Sequence, residues 1–230
     1  MHRRRERNVK RQYLFVAAAV LASLISTVTV AAEISYGAKV GMILSNITQT
    51  PVEWEQDKSF KAGFTGGVFL NYAFNENFSI QPELLYTQKG VKDNLYDGFI
   101  TVDLTAHFDY FELPVLAKYT FPWKENFKPC IFAGPSFAYT VSSNLEVSAL
   151  LFSAEIDFSD LTHVTDFGFI AGAGFDCPLG KGNLVFDARF QLGFTNVILS
   201  GDFEIDGSTQ TIDEDDFKNY GFAFMLGYSL

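Results

Sequence analysis

From Phe78 to Gly90 the chain alternates. Phe78, Ile80, Pro82, Leu84 and Tyr86 take one phase; Ser79, Gln81, Glu83, Thr87 and Lys89 take the other, with Leu85 the exception. Successive side chains of a strand point to opposite faces, so this segment carries one oily and one polar, charged face. It is longer than the roughly 5–6 residues of an ordinary small-sheet strand. It approaches the ~9–11 residues that a tilted strand needs to cross a bilayer.

The pattern recurs along the chain. Two strands are predicted before it, over Ile34–Leu44 and Ala62–Phe74. A fourth runs Phe108–Tyr119, with Phe111, Leu113, Val115, Ala117 and Tyr119 in phase, and a fifth runs Phe127–Val141. The sixth covers Asp166–Cys177. The seventh sets Leu184, Phe186, Ala188, Phe190, Leu192 and Phe194 against Asp187, Arg189, Gln191 and Gly193. The eighth closes the chain with Phe222, Phe224, Leu226, Tyr228 and Leu230 in one phase. Short turns are expected at Asn75–Asn77, Phe121–Asn126 and Pro178–Gly182. Long loops are expected at Ser45–Ser59, Val91–Ala106, up to Thr165, and up to Asp216. Alternating long loops and short turns, with both termini on the short-turn side, predict an all-β fold: an eight-stranded antiparallel up-and-down transmembrane β-barrel.

Composition supports this. Aromatics make up 16% of the chain, with 25 Phe and 10 Tyr, residues that favour strands. No apolar run of 18 residues follows the N-terminal segment, which excludes an α-helical multispan protein. The N-terminus instead has the order of a secretory signal peptide: Arg3–Arg11 is basic, Tyr13–Val30 apolar, and Val30-Ala31-Ala32 small. The expected division is a cleaved signal peptide over 1–32 and a barrel domain over 33–230. That segment holds six of the 17 basic residues and one of the 27 acidic ones, so the remainder carries 11 basic against 26 acidic residues. So acidic a chain is not a nucleic-acid binder, which needs a basic surface.

Either face of such strands could point inward. A soluble eight-stranded barrel would turn the oily face in, but an eight-stranded interior is only just wide enough for side chains to fill. Phe, Tyr, Leu and Ile at most positions are too bulky to converge there. The other phase, rich in Gly, Ala, Ser and Thr, fits a narrow lumen. Lys39, Lys61, Glu83, Glu112, Lys118, Lys128, Asp187 and Arg189 then lie inside. Buried charges cost several kcal/mol each unless paired, and both signs are present. A plug of ion pairs is expected, with Lys61, Lys118 or Arg189 as partners for Glu83. The alternative is a narrow path for small solutes or protons.

Several stretches together resemble the PorT-like family of bacterial outer-membrane β-barrel proteins. They are GAKVGMILSN at Gly37–Asn46, IQPELLYTQKG at Ile80–Gly90, YFELPVLAKY at Tyr110–Tyr119, KPCIFAGPSFAY at Lys128–Tyr139, FGFIAGAGFDCPLGKG at Phe167–Gly182, and the closing GFAFMLGYSL. The resemblance spans about Ile34 to Leu230. It implies a small barrel in the outer membrane of a diderm bacterium. Its lipid partners would include lipopolysaccharide, and it would meet the barrel-assembly machinery during biogenesis. Well-known members of the family support a protein secretion system, so a secretion-system or extracellular protein partner is expected. The family carries no catalytic residues to transfer.

Other candidate chemistry is sparse. Asp202, Glu204, Asp206 and Asp213, with Gly207, space like a degenerate calcium loop. Glu204 is bulky for its place, Asp213 short for its own, and no flanking helices are expected. The simpler account is an Asp206-Gly207 hairpin. Acids Asp213–Asp216 could meet cations that bridge lipopolysaccharide. His107 and His163 are the only histidines of the mature chain, and neither forms a motif with Ser136 or Ser142, so no enzyme is expected. Gly172 and Gly174 lie in a strand without a following helix, so they are not a phosphate cradle. Cys130 and Cys177 fall on opposite faces of neighbouring strands, which predicts free thiols. No cofactor is expected.

Overall fold

The computed structural model describes residues 33–48, 59–96, 101–124, 126–149, 152–157, 164–196, 201–205, 208–212 and 218–230. The expected signal peptide lies outside them. In chain order the strands are β1 (Glu33–Ile47), β2 (Ser59–Ala73), β3 (Phe78–Tyr96), β4 (Thr101–Thr120), β5 (Lys128–Ala149), β6 (Phe152–Asp157), β7 (Thr165–Leu179), β8 (Gly182–Asn196), β9 (Gly201–Ile205), β10 (Ser208–Ile212) and β11 (Lys218–Ser229).

Eight of these close into a barrel. Each of β1, β2, β3, β4, β5, β7, β8 and β11 pairs antiparallel with the next, and β11 returns to β1 with Ala38 opposite Tyr228 and Leu44 opposite Phe222. Closure leaves no unpaired edge through the spanning zone, which a bilayer interior would not tolerate. The Asn75–Asn77 turn, the Phe121–Phe127 turn and both ends of the described chain share one end. At that end Gly180 adopts φ +66°, the left-handed conformation that suits glycine in the tight turn joining β7 to β8.

The alternation becomes an inside and an outside. Thirty-two large apolar side chains are exposed among the described residues, including Val115, Leu84 and Phe224 on the outer wall. Water-soluble monomers do not present so continuous an apolar surface; a hydrocarbon solvent removes the cost. Aromatic rings gather at two levels. Near the short turns Phe78 meets Tyr119 at 4.7 Å and Phe127 meets Phe175 at 5.1 Å. Near the long connections Tyr86 meets Phe111 at 5.9 Å and Phe190 meets Phe222 at 5.1 Å. Phe78 to Tyr86 is eight steps, about 27 Å along a strand and about 20 Å vertically at a tilt near 40°. Two such girdles bracket a membrane-spanning band.

Two expectations need correction. The stretch Val91–Ala106 is mostly strand: β3 and β4 stay paired up to Tyr96 opposite Thr101. Similarly β5 runs on to Ala149 and takes β6 along its side. Beyond the girdle water meets both faces, so polar residues interrupt or accompany the apolar phase, as Glu146 and Glu155 do between the Leu145–Ile156 and Val147–Ala154 pairs. Lys92, Asp93 and Asn94 therefore resemble loop. β9 and β10 form a separate hairpin with Ile205 opposite Ser208, bracketing Asp206 and Gly207.

Candidate functional site

The lumen is the chemically distinctive region. Midway along it four charges meet. Lys39 Nζ lies 2.6 Å from Glu83 Oε1 and 2.6 Å from Asp187 Oδ2. Arg189 donates through Nη1 to Glu83 Oε2 at 2.8 Å and through Nη2 to Glu83 Oε1 at 3.3 Å, a two-pronged contact, and through Nη2 to Asp187 Oδ2 at 2.5 Å. Gln81 Nε2 adds a donor to Glu83 Oε1 at 2.7 Å. All four charged residues are almost wholly buried. Two cations face two anions, so the tetrad is neutral. Phe69 lies under the Lys39 ammonium at 4.9 Å and Phe132 under the Arg189 guanidinium at 5.2 Å, adding cation–π attraction and bulk. The lumen glycines make room for these rings: a Cβ on Gly172 would sit 2.6 Å from Phe132 Cζ, and one on Gly37 2.6 Å from Phe69 Cζ.

Toward the long connections lies a second tier. Lys89 pairs with Glu112, which also accepts from Thr87 Oγ1 at 3.1 Å. Lys61 Nζ donates to the carbonyl of Lys89 at 2.9 Å, and Ser45 Oγ bridges the Gly90 backbone. Asn219 Nδ2 donates to the Tyr110 hydroxyl at 3.0 Å and reaches Asp166 at 3.5 Å. Toward the short turns Lys118 pairs with Asp176 at 2.8 Å.

Of the residues expected inside, seven are there and one is not. Lys128 keeps the inward phase opposite Asp176 but stands at the open short-turn mouth, where it is exposed rather than packed in the filled interior. The partners expected for Glu83 also need correction: Arg189 is one, Lys39 is the other, and Lys61 and Lys118 are not. Register explains this. Glu83 stands opposite Phe69, eight residues down β2 from Lys61, about 26 Å along the strand. Lys118 stands opposite Ser79, four residues from Glu83. Lys39, opposite Gly67, is level with Leu85 and Glu83. Lys89 and Asp176, inward in phase but not among the expected lumen charges, join the network, and Asp166, Tyr110 and Asn219 enter it without having been expected. Phe69, Leu116, Phe132 and Ile170 are equally inward and interrupt the expected small-and-polar lining.

The remaining candidates stay apart. Ser136 faces the lumen opposite Pro114, seven residues along β4 from His107, so the two do not meet. His107 instead reaches Glu146 at 3.5 Å, above the girdle. His163, Asp206 and Asp213 lie outside the described residues; Asp202 and Glu204 stand on β9. Among the described residues no three His, Cys, Asp or Glu side chains are grouped to hold a metal ion. Cys130 is buried in the lumen and Cys177 lies in the outward phase, and both are free thiols.

Eight closed strands, an apolar outer wall with aromatic girdles and a charged, filled interior agree with the sequence comparison, in which residues 23–199 match the family described as outer membrane protein beta-barrel domain. The chain belongs to this family. It is a small β-barrel of the bacterial outer membrane, set in the lipid of that membrane. Its short turns face the periplasm and its long connections the exterior, the general arrangement of such barrels. No curated protein sequence matches the chain. Similar solved structures include OprG of Pseudomonas aeruginosa, at 12% identity with 85% of this chain and 95% of that one covered and a TM-score of 0.47. Neisserial surface protein A matches at 12% identity, 86% and 98% coverage and a TM-score of 0.44. The attachment invasion locus protein Ail of Yersinia pestis matches at 13% identity, 86% and 99% coverage and a TM-score of 0.39.

Proposed function

We propose that this barrel is a structural or interaction element, an accessory factor in protein export of the PorT-like kind, with its lumen held shut by the ion-pair network. The carrying observation is the Lys39–Glu83–Asp187–Arg189 tetrad with Phe69 and Phe132 across the mid-lumen. On its outer side the next cavity, beside Lys89, Glu112 and Gln191, has only about 10 Å³, scarcely room for one water. A barrel so filled is a platform, and the parts left to meet a partner are those beyond the girdles. The order and spacing of the PorT-like segments support the export role, and the basic, apolar and small-residue order of 1–32 supports delivery by a cleaved signal peptide.

Affinity capture of the tagged protein from native outer membrane tests this. Co-enrichment of export-system components is expected. Recovery of lipid and assembly machinery alone would remove the accessory role. A narrow solute channel is the second reading, favoured by an open vestibule at the periplasmic mouth. Planar-bilayer recordings decide between them, because stable single-channel steps would sink the closed lumen.

A further inference from the structure

Between the tetrad and the long connections the lumen holds a cavity of about 10 Å³. Missing side chains make it: Gly168 on β7 and Gly193 on β8 stand opposite each other, and both line it. Lys89 and Glu112 border it from β3 and β4, Asp166 and Gln191 from β7 and β8. Most of these groups are already engaged. Lys89 pairs with Glu112, which also accepts from Thr87. Asp166 accepts from the Thr195 amide at 3.4 Å and from Asn219 at 3.5 Å, two long bonds that leave it room for another donor. Gln191 differs. It is 4% exposed, and neither its Nε2 nor its Oε1 has a partner among the described residues. Its neighbours in the sheet, Ile170 and Gly221, have no polar side chain to offer. Exchanging the oxygen and nitrogen of the amide changes nothing, because both are unmatched. Buried polar groups left so are rare and costly.

The occupant that completes Gln191 must both donate and accept. A cation would leave Nε2 unmatched and would face the Lys89 ammonium, and no three acids or histidines are grouped to hold a metal ion among the described residues. An anion would face Glu112 and Asp166. The volume is about that of one water-sized sphere, which excludes an organic molecule, and a buried water needs about 2–4 polar partners. Gln191 supplies one donor and one acceptor, and the Glu112 and Asp166 carboxylates supply further acceptors. We infer that this cavity is a binding site for a single water, anchored by Gln191 and donating to Glu112 or Asp166. The water ties β8 to the groups opposite it, as the tetrad does at mid-lumen. It makes a second, hydrated closure above the first. The site rests on the cavity and on Gln191, not on the export role.

Crystallography of the mature barrel at a resolution that shows ordered water, together with unfolding in lipid vesicles, tests this. One solvent peak is expected within hydrogen-bond distance of the Gln191 amide and of the Glu112 or Asp166 carboxylate. Gln191→Met keeps the length of the side chain and removes both polar groups, so it gives the decisive sign. With a bound water, the variant should lose the peak, and its folded-to-unfolded ratio should fall about 5-fold, the worth of one buried hydrogen bond. Without one, the substitution removes two unmatched buried groups, and the ratio should rise. A ratio that rises or does not change would overturn the site. So would the absence of the peak from the unsubstituted barrel, its persistence in Gln191→Met, or ligand distances those of a metal ion rather than a water. None of these readings involves a partner protein, so this site and the export role fail separately.

Discussion

Glu83→Ala is the sharpest perturbation of the lumen. The side chain accepts from Lys39, from both prongs of Arg189 and from Gln81, and is fully buried. Removing it leaves Lys39 and Arg189 sharing Asp187 alone, so a neutral tetrad becomes a triad with one uncompensated positive charge. Breaking a buried pair by deleting one partner costs about 3–5 kcal/mol, most of it the penalty of the stranded charge. The same reasoning predicts partial rescue. Glu83→Ala combined with Lys39→Met removes one charge of each sign and keeps the 2.5 Å Arg189–Asp187 contact, so the double variant should be less destabilised than the single one. Guanidinium unfolding in lipid vesicles measures the free energies, and loss of the heat-modifiable shift in gel mobility gives an independent reading. If Glu83→Ala lies within about 0.5 kcal/mol of wild type, the range of an ordinary surface substitution, the network does not hold the barrel together. If the double variant is less stable than the single, charge balance is not the operative term.

Three further outcomes follow from the geometry. Val115→Arg, midway between the girdle residues Phe111 and Tyr119 on the outer wall, should cost about 2–4 kcal/mol in vesicles, whereas Phe121→Arg at the interface should cost about 0–1 kcal/mol; equal costs would contradict the inside-out arrangement. His107 lies outside the membrane band, where burial, aided by Lys61, holds its pKa below the ordinary histidine value despite Glu146. The folded state therefore disfavours protonation, so stability is full above the unfolded value near 6.5 and declines as pH falls through it. Protection factors of amides near Thr105 and Asn144, taken relative to the intrinsic exchange rate at each pH, should fall at pH 5.5, His107→Gln should flatten this pH response, and an unchanged response in that variant would assign it elsewhere. Maleimide in detergent should modify Cys177 in the folded barrel and Cys130 only after unfolding, with no mobility change on reduction; a reduction-sensitive band would reveal a bridge.

The difference between what could be read in the residues and what needed the structure is one of solvent. Between the girdles every outward side chain meets hydrocarbon, so Leu84, Val115 and Phe190 are all under the same demand and their phase is unmistakable. Inside, no single demand applies. A lumen position may be small, charged or aromatic provided its neighbours complement it, which is how Phe132 sits beside Gly172 and Phe69 beside Gly37. Phase therefore places Glu83 in the lumen but does not say what it touches. Its partners come from β1 and β8, neither adjacent to β3 in the sheet, and contact across the axis depends on the stagger of all eight strands. That stagger is a property of closure rather than of any segment, and it explains why Lys61 and Lys118, correct in phase, are wrong in height. Lys128 makes the same point at the rim, where correct phase at the open mouth, opposite Asp176, yields a solvated lysine. Above the membrane the alternation continues in part, with Leu145, Val147 and Ala149 of β5 opposite Ile156, Ala154 and Phe152 of β6; the interspersed acids Glu146, Glu155 and Asp157, and the polar run Lys92–Asn94 on β3, are what give these extensions the look of loops.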